Sequence, residues 1–409
     1  MKKNVLVICQ HYWPENFRIT DFCQGLIEKG YNVDILCGIP NYPKGEFYKG
    51  YSYWKPKQER HNGVRIFRTI EIPRKGNTTL RIFLNYISFP ISSTLLIPRF
   101  LLSNNKYDHI FIYQLSPVLM GISGIILGKL KNIKTTIYVL DLWPDNLYSV
   151  LTVRNKYLRI FLYKISTWFY KNADNIIAIS PEMEKVLRER TGKKQENMTT
   201  VYQYCEKLYE GKPRNNNLRK IFNKKFKVVF TGNITPAQTP ETIIRTAILL
   251  KQNGYEKKIL FIIVGGGMSI ENFISDVKNK NLQEMFHFEG IKPVEEIPKY
   301  YDIADALLVT MAQNELLNLT IPAKVTSYIA SGKPILASIG GAGARLLEEI
   351  GNSLISQPED HNALYQNIIK IFQMTQQERR AVGEKSYAYY YKYLERNKSI
   401  DRILKFIQI

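Results

Sequence analysis

The chain has 409 residues, 45% of them hydrophobic and 23% charged, which fits an ordered globular protein of two domains and excludes a disordered or fibrous one. Lys and Arg outnumber Asp and Glu by 57 to 36, and the excess lies early: residues 1–200 hold 29 basic against 15 acidic residues, and residues 51–100 hold 9 against 2. Such a bias suits a polyanionic neighbour (nucleic acid, an anionic membrane or a phosphorylated substrate), while four cysteines without a CxxC pair and only five histidines argue against a disulfide framework or a Cys/His metal site.

In chain order, the apolar run Val5–Cys9 is too short for a secretory signal and predicts a first strand. Further strands are expected at Val33–Leu36, Val64–Arg68, His109–Tyr113, Thr136–Val139 and Asn175–Ala178, all without the polar alternation of a half-exposed sheet. The longest apolar stretch, Ile110–Leu130, is broken by Gln114, Ser116, Pro117, Ser123 and three glycines. It therefore reads as strand, turn and helix, and no transmembrane helix is expected. A helix is expected at Pro181–Arg190, followed by a polar linker over residues 193–223.

The pattern then restarts, with strands expected at Lys227–Thr231, Ile259–Val264, Met285–Glu289, Ala306–Val309, Pro334–Ala337 and Leu354–Ser356. Helices are expected at Glu241–Asn253 and Ile270–Lys278. Two successive βαβ series predict an α/β protein of two doubly wound domains facing across a cleft. We expect the first domain at 1–205, the second at 206–385, and a C-terminal helix over 386–409 packing back toward the first.

Ligands of such sheets bind where a strand's carboxyl end enters a loop. After the first strand stands Gln10-His11-Tyr12-Trp13-Pro14-Glu15-Asn16-Phe17-Arg18, and after the second Gly38-Ile39-Pro40-Asn41-Tyr42-Pro43-Lys44-Gly45. Asp141-Leu142-Trp143-Pro144-Asp145 follows the fifth, an unusual density of carboxylate and indole for a turn. In the second half, Thr231-Gly232-Asn233-Ile234-Thr235-Pro236-Ala237-Gln238 and Val264-Gly265-Gly266-Gly267 let the backbone approach a phosphate or ribose. The GxGxxG pattern of dehydrogenases is absent from them. Lys324 falls near a helix start, where a cation opposes the helix dipole unless it meets a bound anion.

These segments, with Phe288-Glu289-Gly290-Ile291-Lys292-Pro293 and Ile321-Pro322-Ala323-Lys324-Val325-Thr326-Ser327-Tyr328 through Ile339, occur in the order of a GT-B glycosyltransferase of family 4. The chain resembles the branch of bacterial L-fucosamine-type and colanic-acid-type transferases of O-antigen and capsule synthesis. The resemblance implies two Rossmann-like domains, a nucleotide-sugar donor (UDP favoured) and a retaining reaction with no metal and no cofactor. It implies donor contacts at Gly232, Asn233, Gln238, Gly265, Gly266, Gly267, Gly290, Ile291, Lys324 and Ser327. Asp141 and Lys324 take catalytic positions, and Glu15, Asn16, Arg18, Asn41, Tyr42 and Trp143 the acceptor side. Two departures stand out: Leu319 and Ser327 occupy positions where the family usually has glutamates, with Glu315 the nearest acid upstream, and Gln238 stands where it has a base.

Lys324 would stabilise the departing diphosphate while Asp141 positions hydroxyls; double displacement by Asp141 is the alternative. Residues 76–106 and Lys156–Lys171 mix apolar or aromatic residues with bases, which suits helices lying against anionic lipid. The expected partners are the donor, a lipid-linked saccharide acceptor and the inner face of the plasma membrane, with no nucleic acid, since no nucleic-acid motif is found. A GT-B-fold sugar-nucleotide epimerase and a non-catalytic sugar-nucleotide-binding subunit of a polysaccharide assembly complex remain alternatives.

Overall fold

The computed structural model describes residues 2–55, 58–103, 105–150, 155–210, 216–222, 224–351 and 353–409. The chain divides into two compact units, Met1–Tyr202 with Asn397–Ile409, and Gln203–Arg396.

The first unit is built on eight strands: β1 (Asn4–Ile8), β2 (Asn32–Gly38), β3 (Gln58–His61), β4 (Val64–Thr69), β5 (His109–Gln114), β6 (Thr135–Val139), β7 (Asn175–Ala178) and β8 (Met198–Thr200). Their order is β3-β4-β2-β1-β5-β6-β7-β8, parallel throughout except for the antiparallel β3–β4 pair. β5, β6 and β7 are buried along their whole length, as strands covered on both faces must be, which explains their unbroken apolar runs. Because β1, β2, β4, β5 and β6 run parallel, the loops that follow them gather at one edge of the sheet, and the strand order reverses direction at β1, with β2 on one side and β5 on the other. The helices Thr79–Leu95, Ile122–Lys131 and Lys156–Asn172 lie side by side, the middle one touching the other two. The stretch Leu80–Leu102 is long and apolar enough to cross a membrane by length and composition. It consists of two helices, Thr79–Leu95 with Pro90 inside it and Ile97–Leu102 carrying Arg99.

The second unit has six parallel strands: β9 (Phe226–Thr231), β10 (Ile259–Val264), β11 (Phe286–Gly290), β12 (Ala306–Thr310), β13 (Ile335–Ser338) and β14 (Ser353–Ser356), in the order β11-β10-β9-β12-β13-β14. Val228, Phe230, Ile243, Phe261, Phe273 and Leu308 belong to its core.

Three features depart from the sequence expectation. β3 is a polar edge strand, Gln58-Glu59-Arg60-His61, held by its hairpin with β4, and carries no apolar signal. β8 lies inside the stretch read as linker and pairs with β7. The segment 386–409 is not one helix: the helix Gln376–Tyr389 runs into a widened turn at Tyr390–Leu394, and Arg396–Ile407 forms a separate helix. Only residues from Asn397 onward belong with the first unit, where Asp401 pairs with Lys29 at 2.6 Å.

Candidate functional site

At the carboxyl end of the second sheet, three glycine turns interlock. Gly232 follows β9 with φ 112°, and Gly265 and Gly267 follow β10 with φ 142° and 141°. The Gly232 N–H donates to the Val264 carbonyl, the Gly265 N–H to the Gly290 carbonyl and the Ile234 N–H to the Gly266 carbonyl, each at 2.8 Å. A Cβ on Gly265 would fall on the carbonyl oxygen of Gly232, and one on Gly267 on that of Ile234. Glycine is required here by both the left-handed backbone and the close contact between neighbouring backbone segments.

Beside these turns, Lys324 is the second residue of the helix Ala323–Ser331. Its stem reaches the surface, but its ammonium is buried without a hydrogen-bond partner. Nζ lies 3.7 Å from the centroid of the Phe230 ring and 3.5 Å from where a Cβ on Gly232 would stand. The aromatic face gives a weak attraction, while the positive end of the helix and the loss of water both oppose the charge. Burial accordingly pushes its pKa down to about 7. No acidic residue occupies the first turn of that helix. An enclosed, unpaired cation at a glycine-lined strand end is a receptor for an anion.

Asn233, Gly290 and Ile291 are exposed around the same turns; Ile291 is 83% exposed and its side chain packs toward Gly266. The Gln238 side chain is engaged locally: its carbonyl oxygen accepts the Thr235 hydroxyl at 2.6 Å and the Thr235 N–H at 3.2 Å, capping the turn Pro236–Gln238. Ser327 is buried within the helix that carries Lys324. Leu319 ends the short turn Leu317–Leu319, and Glu315 is exposed.

In the first unit, Asp141 follows β6. Its Oδ2 accepts the Ser116 hydroxyl at 3.1 Å, and burial pushes its pKa above the usual carboxylate range, partly offset by hydrogen bonds from Ser116 and Asn146. Glu15 is buried and builds the loops: its Oε1 accepts the N–H groups of Asn41 at 2.7 Å and Tyr42 at 2.6 Å, and its Oε2 pairs with His11 Nδ1 at 2.9 Å. Asn41 is fully enclosed. Trp143 is only 4% exposed, so its ring offers no face to a ligand, contrary to the acceptor-side expectation. Asn16 and Tyr42 are exposed and Arg18 is half-buried at the start of the helix Arg18–Glu28.

Sequence reasoning missed Phe230, the ring beneath Lys324, and Ser116, the donor to Asp141. A signal existed for each: Phe230 is two residues before Gly232, and Ser116 stands just past β5, whose neighbour in the sheet leads to Asp141. Among the described residues no group of three or more His, Cys, Asp or Glu is placed to hold a metal ion.

Residues 17–203 match the family model for Glycosyltransferase Family 4, and residues 212–389 match that for Glycosyl transferases group 1. The chain is 24% identical over 283 residues to a probable glycosyltransferase, WbjE, of Pseudomonas aeruginosa, covering 67% of this chain and 68% of that protein. Among solved structures, it resembles sucrose-phosphate synthase from Thermosynechococcus elongatus, with a TM-score of 0.75 and 16% identity over 100% of this chain and 98% of that one. It also resembles Anabaena HepE in complex with UDP, with a TM-score of 0.71 and 15% identity over the whole of both chains. These likenesses establish two Rossmann-like units of the GT-B fold.

Proposed function

The chain is a GT-B glycosyltransferase of family 4, and from that premise we propose that it transfers a hexose or N-acetylamino-deoxyhexose from a UDP-sugar to a polyprenyl-diphosphate-linked saccharide in bacterial surface polysaccharide synthesis. The observation that carries this reading is the unpartnered ammonium of Lys324 among the glycine turns. The UDP bound by the structurally similar HepE supports the choice of nucleotide.

In this reading the donor diphosphate lies against Lys324, Gly232 and Asn233, and the base and ribose lie near Gly290, Ile291 and the Gly265–Gly267 turn. Gln238 holds the turn that shapes the pocket, and Ser327 supports Lys324 from within its helix. The bond from the anomeric carbon to the phosphate oxygen breaks as the acceptor oxygen bonds to that carbon on the same face, retaining configuration. The departing phosphate oxygen takes the acceptor's proton. Lys324 and backbone N–H groups stabilise the charge that grows on the diphosphate, so the step needs no metal. Asp141 orients sugar or acceptor hydroxyls, and Asn16, Arg18 and Tyr42 meet the acceptor at the loops that Glu15 and Asn41 hold in place.

The protein works at the cytoplasmic face of the plasma membrane in this reading. Leu80, Phe83, Ile91 and Leu95 on the helix Thr79–Leu95, and Tyr157, Phe161 and Trp168 on the helix Lys156–Asn172, are all exposed. Bases beside them are drawn to anionic lipid by about 1 kcal/mol each.

The test is incubation with radiolabelled UDP-N-acetylglucosamine or UDP-glucose and vesicles carrying an undecaprenyl-diphosphate-linked monosaccharide. Label should move into the lipid fraction with release of UDP, and Asp141→Asn should slow it about a hundredfold. Label that stays water-soluble in an isomerised sugar nucleotide would make the protein an epimerase. Donor binding without any turnover would make it a non-catalytic subunit.

A further inference from the structure

In the first unit, the loops at the carboxyl ends of β1, β2 and β4 close over a buried polar cluster. Gln10, Asn41, Glu71 and Asn85 are each 1% exposed or less. A single carboxylate oxygen of Glu71 accepts Gln10 Nε2 at 2.8 Å, Asn41 Nδ2 at 3.0 Å and Asn85 Nδ2 at 2.6 Å. Asn85, on the helix Thr79–Leu95, also donates to the Ile72 carbonyl at 2.8 Å. Its amide oxygen accepts Gln10 Nε2 at 3.1 Å and Arg74 Nε at 3.0 Å.

The cluster thereby reaches the surface at one cation. The guanidinium of Arg74 lies over two rings, 5.4 Å from the Tyr42 centroid and 5.1 Å from that of Tyr86. The Nε bond and the two rings fix the side chain, and among the described residues no hydrogen bond or ion pair engages its two Nη groups. A Cβ on Gly45 would stand 3.1 Å from the Arg74 and Lys75 backbone, so the loop bearing Lys44 packs against this point. Lys44 and Lys75 are exposed there, and the first turn of the helix Thr79–Leu95 has no acidic residue.

An ordinary surface arginine is mobile or pairs with a nearby carboxylate, to little effect. Here Asn85, itself fixed by the buried network of Gln10, Asn41 and Glu71, holds the inner edge of one guanidinium and leaves its outer fork open. A fixed fork is the geometry that takes two oxygens of a phosphate side by side. We propose that Arg74 is the fork of a diphosphate subsite in the first unit, outside the nucleotide site of the second, and that it holds the diphosphate of the acceptor. The proposal rests on reading the first unit as the acceptor-binding part of a transferase.

Two sources share this chemistry, a prenyl diphosphate and free pyrophosphate, and they separate in one experiment. The full chain is saturated with UDP to fill the donor site, and sodium pyrophosphate or farnesyl diphosphate is titrated calorimetrically. One further site should appear, with at least about tenfold weaker binding in both Arg74→Gln and Arg74→Lys, because lysine keeps the charge and loses the fork. The variants' melting temperatures and UDP affinities should match those of the unaltered protein. Farnesyl diphosphate binding more tightly than pyrophosphate assigns the subsite to a lipid-linked ligand, and equal binding assigns it to the diphosphate group alone; both support the subsite. No second site in the UDP-saturated protein, or unchanged binding in Arg74→Gln, overturns it. Failure of UDP to bind would count against the donor reading instead, and pyrophosphate would then be titrated in its absence against Lys324→Ala and Arg74→Gln in parallel.

Discussion

Lys324 sits where burial and the positive end of its helix both disfavour its charge, so its proton is loosely held. Its pKa of about 7 lies far below that of an unfolded lysine. The sign follows: between about pH 7 and 10 the unfolded chain holds a proton that the folded chain has released, so this residue makes the fold more stable as pH rises through that range. A bound diphosphate favours the charged form and reverses the preference. UDP binding at pH 8 should therefore take up a proton, and affinity should fall as pH rises from 7 to 9. Calorimetry in two buffers of different ionisation enthalpy reads this directly, and identical heats in both would show that Lys324 does not change its charge. Gly265 is constrained as tightly by its neighbours. Gly265→Ala must either leave φ 142° or collide with the Gly232 carbonyl, and should cost about 2 kcal/mol or more of stability, together with nucleotide binding. Glycines and a lysine at strand ends are visible in a sequence because their chemistry is local. Phe230 could be marked only by its place two residues before Gly232; that its ring lies under Lys324 was not legible, because the contact joins residues that only the packing of a helix on the sheet brings together.

The helix Thr79–Leu95 shows what one element is asked to do. Its inner face carries Asn85, which ties the loops after β1 and β4 to one buried carboxylate, while Leu80, Phe83, Ile91 and Leu95 face outward. The two faces should respond differently to mutation. Asn85→Leu strands buried donors and acceptors on Gln10, Glu71 and Arg74 and should cost about 2 kcal/mol, seen as a lower midpoint in urea. Replacing Leu80 and Phe83 with serine should change stability by less than about 1 kcal/mol but reduce flotation with phosphatidylglycerol vesicles. Unchanged flotation would remove this helix from the membrane-binding surface. The apolar and basic character of the segment was legible, because composition reports it. Its inward anchor was not, since a lone asparagine in an apolar helix gives no hint of partners on other elements. β3 and β8 were missed for a related reason: short edge strands owe their form to backbone pairing, and their side chains need no pattern.

At the scale of the whole chain, the repeated βαβ series was the most readable feature, since parallel strands buried on both faces need apolar runs that nothing else explains. The ends of the units were less so: the first begins to give way at Tyr202, and the return at Asn397 follows a widened turn without a helix-breaking residue. The net charge of +21 has a consequence of its own. Association with anionic vesicles should weaken steeply as salt rises from 50 to 300 mM, because exposed charges are screened over a Debye length of about 10 Å at 0.1 M. On these observations the second unit binds a nucleoside diphosphate through Lys324. A thermal-shift panel of UDP, GDP, dTDP, CMP and ADP tests it most directly, run on the unaltered chain and on Lys324→Ala. At a hundred times its Kd a ligand adds about 2.7 kcal/mol to stability. UDP should raise the melting temperature of the unaltered chain, and the rise should be lost in the variant. No shift with any nucleotide, or an equal UDP shift in both proteins, would contradict it.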